Sequence, residues 1–381
     1  MVTFVAQDSD FLSSELKYQI ALTQIPNVGD VIAKNLIAYC GSASAVFKAK
    51  RSELLKIPQV GEFVAASVLK HQDDIEIFKR VEREIEFIEQ KKVSALFFTD
   101  AQYPNKLKHC ADAPILLFYK GTADLNQQKI VGIVGTRTPT EYGRAQTEKL
   151  IEELRELNVL VVSGLAYGID TCAHRAAIAQ GLETVGVLAH GLDELYPSTN
   201  AALAKKMLKQ GGLLTEFLTN TNPDKENFPK RNRIVAGMCD AVVVMESKKT
   251  GGALITADIA AGYSRDVFAY PGRSGDSCSE GCNKIIKQNK AALIESAADL
   301  IYAMCWEETK KAKTKKQLTL PVNLSGDEHE IVNLLKDIPA MHVDEICSKL
   351  QLSPGKASGL LLQLEFSNIV RSLPGKLYAI N

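Results

Sequence analysis

The stretch Lys129–Arg137, KIVGIVGTR, constrains this chain most. Ile130, Val131, Ile133 and Val134 are too crowded for a strand with one wet face, so the run predicts a central parallel strand buried on both sides. It stops abruptly at Gly135, Thr136 and Arg137, and a helix start follows. Thr138 as cap, Pro139 at the first helical position and Glu141 closing a capping box are expected. Gly135, Thr136 and Arg137 would then sit where a strand's carboxyl end meets a helix's amino end, the usual ligand crevice of open α/β sheets.

Strand and helix patterns alternate after this point. Candidate strands are Val159–Ser163, Thr184–Leu188, Gly212–Thr215, Ala241–Glu246, Val267–Tyr270 and Ala292–Ile294, with Ser94–Thr99 and Ile115–Tyr119 ahead of them. Amphipathic helices lie between: Leu150, Ile151, Leu154 and Leu157 face one way, while Glu148, Lys149, Glu152, Glu153 and Glu156 face the other. Repeated βα units with short apolar strands imply a doubly wound parallel sheet.

The flanks read differently. Residues 1–90 are helical in pattern and hold a repeat, in which IPNVGDVIAKNLI from Ile25 is echoed by IPQVGEFVAASVL from Ile57. Each copy resembles half of a helix–hairpin–helix pair whose glycine, Gly29 or Gly61, bares amides that could meet a phosphate. Asp30 and Glu62 would repel one, which favours packing over DNA contact. Residues 91–305 form the core, and 306–324, with Lys310, Lys311, Lys313, Lys315, Lys316 and Pro321, read as a basic linker. Residues 325–381 give three short helices and a hairpin turning at Pro374-Gly375-Lys376, a winged helix–turn–helix outline. Five basic residues face seven acids there, a poor balance for a phosphate-gripping module, so protein contact or regulation is the better expectation.

At 381 residues the chain can hold two or three domains. Its 45 basic and 45 acidic residues cancel, so any nucleic-acid role must come from local clustering. Eight cysteines without framework spacing suggest a reducing compartment. The lone CSEGC of Cys278 and Cys282 lacks a second pair for zinc. No signal peptide or run of about 18 apolar residues is evident, and a cytoplasmic location is expected.

Three chemistries compete for the crevice. The chain reads G-T-R-T-P-T where a dinucleotide fingerprint would need G-x-G-x-x-G, and no Walker motif occurs, so no cofactor is expected. Asp170 and His174, four apart after SGLAYGI, could form an acid–base or metal pair but more often such a pair locks a loop. Glu216 and Glu246 stand at strand ends with no spacing that pairs them. The third chemistry is backbone phosphate capture. Arg137, Ser163 and Gly164, the FPKRNR run (Phe228, Pro229, Arg231, Asn232, Arg233), Lys248 and Lys249 before Thr250-Gly251-Gly252, and Arg273 all follow strands. In a parallel sheet those ends share one edge, and guanidinium forks with bared amides suit a phosphodiester chain carrying unstacked bases.

The run VGTR…SGLAYGID…AH…YPSTN…TEF…FPKRNRIVAG…TGGALITADIA…YPGR…GCNKII, with YPNKL…APILLFYKG before it, resembles the DNA-processing protein A family, DprA or Smf. The resemblance implies a Rossmann-like core between an N-terminal SAM-like helical domain and a C-terminal winged-helix domain. It implies a non-catalytic protein that binds single-stranded DNA, forms a homodimer and loads RecA onto strands taken up in natural transformation. The family's motif arginine falls on Arg137, and its second motif on Phe228, Pro229, Arg231, Asn232 and Arg233. Where the family often carries a lysine after the Tyr-Pro pair this chain has Ser198, for which Lys205 and Lys206 could compensate. The alternative expectation is a nucleotide-processing hydrolase on the same kind of core, which Thr250-Gly251-Gly252 faintly suggests.

Overall fold

The computed structural model describes residues 5–306 and 326–381, apart from 337, 339, 368, 374, 375 and 381. Beyond Trp306 the expected basic linker lies outside the described residues, as does the Pro374-Gly375 part of the hairpin turn. The chain forms two compact units, residues up to 307 and residues from 308.

The first unit opens with helices. Val5–Gln24 is followed by Asp30–Cys40, two single turns, Glu62–Lys70 and Ile75–Lys91. Gly29 and Gly61 cap the paired helices in extended conformation, and Ala33, Leu36, Ala65 and Val68 bury the repeat's apolar face. Asp30, the acid behind the first glycine, accepts the Ile115 amide at 2.9 Å and pairs with Arg233 at 3.2 Å. It therefore fastens the helices to the sheet. Glu62 pairs with Arg51 on the surface at 2.6 Å.

Nine strands follow: β1 (Ser94–Phe97), β2 (Leu116–Gly121), β3 (Ile130–Val134), β4 (Leu160–Ser163), β5 (Thr184–Val187), β6 (Gly211–Thr215), β7 (Ala241–Val244), β8 (Asp266–Ala269) and β9 (Ala292–Leu293). Their order is β1-β2-β6-β5-β4-β3-β7-β8-β9. From β6 to β9 all neighbours are parallel, but β1 and β2 run antiparallel at one edge. The sheet is thus mixed, where the sequence pattern implied a parallel one. Direction is not written in an apolar run, and the outer pair is covered by the helical region through Phe97, Ile115, Leu116 and Phe118.

The KIVGIV strand is central and buried along its whole length. Ile130 and Val134 pack into one core layer, Val131 and Ile133 into the other. The chain winds outward from β3 in both directions, to β4 on one side and β7 on the other. This reversal opens a crevice at the strands' carboxyl ends.

The expected helix after β3 forms two residues late. Thr140, not Thr138, is its cap, accepting the Gly143 amide at 3.1 Å, and the helix runs Glu141–Glu153. The reason is tertiary. Glu246, just beyond β7, accepts the Thr140 amide at 2.8 Å and its hydroxyl at 2.7 Å, so a distant acid does what a local capping box was expected to do.

The second described unit holds helices Gly326–Leu335, Val343–Leu350 and Pro354–Phe366. Strands β10 (Met341–His342), β11 (Val370–Leu373) and β12 (Leu377–Ile380) pair in the order β10-β12-β11. Ser353 caps the third helix with Pro354 behind it, and Leu361 and Leu364 are buried. This is a winged helix, its hairpin extended by one short strand.

Candidate nucleic-acid interface

A cavity of about 320 Å³ occupies the crevice. Its walls come from the ends of three strands: Gly135, Thr136 and Arg137 after β3, Gly164 and Asp170 after β4, and Ser247, Lys248, Thr250, Gly251 and Gly252 after β7. The fourth wall is the helix Asn227–Met238. Gly135 is required where it stands, since a Cβ there would lie 2.5 Å from the Ile169 side chain.

FPKRNR forms the first turns of this helix rather than a loop leading into it, and that divides its residues. Phe228, Arg231, Asn232 and Val235 follow a spacing of three, four and seven and line the cavity. Lys230 and Arg233 lie on the other face and line a separate cleft against the helical region. Residues two apart on a helix cannot face the same way, so Arg231 and Arg233 part company.

The three expected phosphate-binding arginines have different situations. Arg137 is exposed, and its guanidinium sits 5.0 Å above the Phe228 ring, a cation–π contact at the cavity mouth. Among the described residues it makes no ion pair. Arg231 is buried beneath it. Its Nη1 donates to the Val187 carbonyl at 2.5 Å and to the Gly164 carbonyl, and its Nε donates to Asn232 at 3.2 Å. Burial draws its pKa down to about 10, the nearby Asp170 opposes this, and Arg137 adds to it. Arg231 therefore pins the ends of β4 and β5 together and forms a charged wall, which corrects the expectation of a free fork. Arg233 is removed from the rim. It pairs with Glu216 and Asp30 and donates to the Asp112 carbonyl, committed to joining helices and sheet.

The amides divide similarly. The Thr136 amide donates to the Glu246 carbonyl at 2.7 Å and the Gly164 amide to Asp170 at 3.2 Å, so neither is bared as expected. Ser163 is buried, its hydroxyl donating to the Ile133 carbonyl at 2.6 Å. The helix Gly252–Gly262 supplies what they do not: Gly251 is its cap, no side chain caps it, and both glycines line the cavity with Lys248. Lys249 and Arg273 are exposed but outside the lining, as are Pro229, Lys205 and Lys206. Ser198 is exposed in a short turn, Ser198–Asn200.

The possible acid–base groups are engaged elsewhere. Asp170 accepts the Gly164 and Ala166 amides and is raised in pKa by burial. His174 contacts the Thr184 hydroxyl at 2.7 Å, and burial holds it neutral, with its pKa near 3. The two lock separate features and not each other. Cys282 is buried with its thiol 3.6 Å from the Val244 carbonyl. Among the described residues no three His, Cys, Asp or Glu side chains gather to hold a metal.

Two residues on the rim were not singled out from the sequence, although both lie in its motifs. Tyr167 of SGLAYGID and Tyr196 of YPSTN are about half exposed beside Phe228 and Arg137, lining a much smaller pocket adjoining the cavity. Hydrophobic patterning had no reason to flag them, because exposed rings in loops carry no periodicity.

The model of DNA recombination-mediator protein A matches residues 94–305, which include every part of this rim. The chain belongs to that family, DprA/Smf. A DprA winged-helix model matches 315–376 and a helix–hairpin–helix model 20–77. The chain is 31% identical to protein Smf of Synechocystis across 96% of its own length and 99% of that protein's. It is 41% identical to the DNA processing protein DprA of Streptococcus pneumoniae, covering 56% of this chain and 75% of that one. The crystal structure of the S. pneumoniae protein superposes with a TM-score of 0.65 at 33% identity, over 75% of this chain and 95% of that chain. A structure of Helicobacter pylori DNA processing protein A, described for its single-stranded DNA binding mode, gives 0.51 at 27% identity over 56% and 96%. Among the described residues no helix is long and apolar enough to cross a membrane.

Proposed function

We propose that this DprA/Smf member is a single-stranded DNA-binding recombination mediator that loads RecA onto incoming strands in natural transformation. It works as a homodimer in the cytoplasm and performs no catalysis itself. The observation that carries the reading is Arg137 at the mouth of a cavity with Arg231 below it. An exposed guanidinium held over a ring, with no ion pair among the described residues and a second, buried positive charge behind it, is an anion site with an aromatic wall. Arg137 and Lys248 pair with phosphate oxygens, and the uncapped amides at Gly251 and Gly252 donate to them. The H. pylori relative is described as binding single-stranded DNA, which agrees. Gly135, Thr136, Gly164, Phe228 and Asn232 shape the cavity, while Arg231 acts from beneath.

The competing hydrolase reading is weakened by what surrounds the cavity. Glu246 holds Thr140, Asp170 holds two amides and His174 faces Thr184, so each nearby candidate acid or base has a structural partner. The test is RecA's DNA-dependent ATP hydrolysis at limiting RecA, on single-stranded DNA. The protein is expected to shorten the lag before hydrolysis, and Arg137→Ala to abolish that effect. An unchanged lag in the presence of DNA-bound protein would remove the loading role, and release of base from nucleoside monophosphates would favour the hydrolase.

A further inference from the structure

Beyond Phe228 the rim continues as a row of rings. The Phe228 centroid is 6.4 Å from that of Tyr196, and Tyr196 is 6.5 Å from Tyr167. Tyr167 is 43% exposed and Tyr196 42%. A single exposed ring needs no explanation, but these two are held out by buried polar side chains. The Tyr167 loop carries Leu165 at φ +54° and Gly168 at φ +83°. Asp170 fixes it by accepting the Ala166 amide, and the Thr171 hydroxyl by donating to the Ala166 carbonyl at 2.6 Å. On the other loop the Tyr196 amide donates to His190 Nε2 at 3.1 Å, so the imidazole's proton is on Nδ1, which donates to the Gly191 carbonyl at 2.8 Å. Asn200, buried four residues after Tyr196, ties the two loops together by donating to the Leu165 carbonyl at 3.0 Å and to Thr171 at 2.9 Å.

We propose that Phe228, Tyr196 and Tyr167 form a track on which the bases next to the Arg137-bound phosphate stack. The inference rests on the DNA-binding reading above. A strand bound this way leaves the cavity over the ends of β4 and β5, away from Lys249 and Arg273. The ring spacing is nearly twice the roughly 3.4 Å per nucleotide of a regular strand, so each ring takes an unstacked base of its own. Paired bases keep their faces inside the duplex, so the track also selects for single strands. It contributes no charge and therefore leaves the salt dependence of binding alone.

The experiment measures affinity by fluorescence anisotropy for a labelled single-stranded oligonucleotide, using the full chain and the variants Tyr167→Ala, Tyr196→Ala and Tyr196→Phe. Each alanine is expected to weaken binding about tenfold with an unchanged salt slope and melting temperature, and Tyr196→Phe to bind like the parent. An oligonucleotide with abasic positions is expected to bind the parent about as weakly as the intact one binds the alanine variants. That arm decides the matter with unmutated protein should an alanine variant fail to fold. Folded alanine variants with parental affinity, or indifference of the parent to abasic positions, would overturn the track while leaving DNA binding at Arg137 standing. Failure of the parent to bind any single strand would overturn both. Loss of dimer without loss of affinity would make the tyrosines a contact between copies and overturn the track.

Discussion

Arg137, Arg231 and Arg233 show how little a residue type says about its role. One is exposed at the rim over a ring, one is buried under it and one is tied between two acids. Arg231→Met removes the donor that joins the Gly164 and Val187 carbonyls and leaves Asp170 without its neighbouring charge. Stability is expected to fall by about 3–5 kcal/mol, read by urea denaturation, with DNA affinity lost as a consequence. Glu216 has a pH signature. Its burial outweighs the pull of Arg233 and pushes its pKa from 4.5 up to about 7. Between those values the folded chain holds a proton that the unfolded chain has released, so stability contributed by this group is present below pH 4.5 and lost as pH rises through 7. Denaturation of Glu216→Gln across pH 4–8 should lack that component. The parent-minus-variant difference should drift toward lower parental stability by about 3 kcal/mol over the window.

At the scale of elements, the inner apolar runs were readable because burial on both faces leaves a composition that nothing else explains, whereas β9 is exposed and was picked out by its short apolar run alone. Each of the nine strands falls within two residues of an apolar run picked out in the sequence, and β3 is buried throughout. What was not readable depends on partners distant in sequence. Thr138 looked like the cap because Pro139 and Glu141 follow it, yet Glu246, 106 residues from Thr140, decides the matter. FPKRNR was read with the segments that follow strands, its residues together on one edge. As the first turns of a helix it sorts its own side chains onto two faces, and the site keeps only one of them. The rim was legible as a set of strand ends, and which of its three arginines stays exposed was not, since pairing with Glu216 or a carbonyl leaves no trace in the sequence. The cap provides a test. Thr140→Ala should cost about 1 kcal/mol in thermal or chemical denaturation, whereas Thr138→Ala should be near neutral.

For the whole molecule, the cavity, its aromatic margin and the cleft beside it all lie within the first unit. Within that unit the helical region is fastened to the sheet region by Asp30 and by Arg80 and Glu84, which hold Thr219. Neither contact touches the rim, so the helices brace the sheet and leave the proposed DNA-binding rim open. Deleting residues 308–381 should leave the dissociation constant for single-stranded DNA within about twofold, measured by anisotropy. A large loss would move the binding function to the winged helix, despite its excess of acids over bases.

The central claim is that an exposed guanidinium at the carboxyl edge of the sheet grips a nucleic-acid backbone. A salt titration of binding to single-stranded and duplex oligonucleotides, with the parent chain and Arg137→Ala, tests it directly. The account predicts preference for the single strand, a steep salt dependence, and for the variant a loss of about 1–3 kcal/mol with a salt slope lower by about one. Equal affinity and equal slope for the two proteins, or indifference to strandedness, would contradict it.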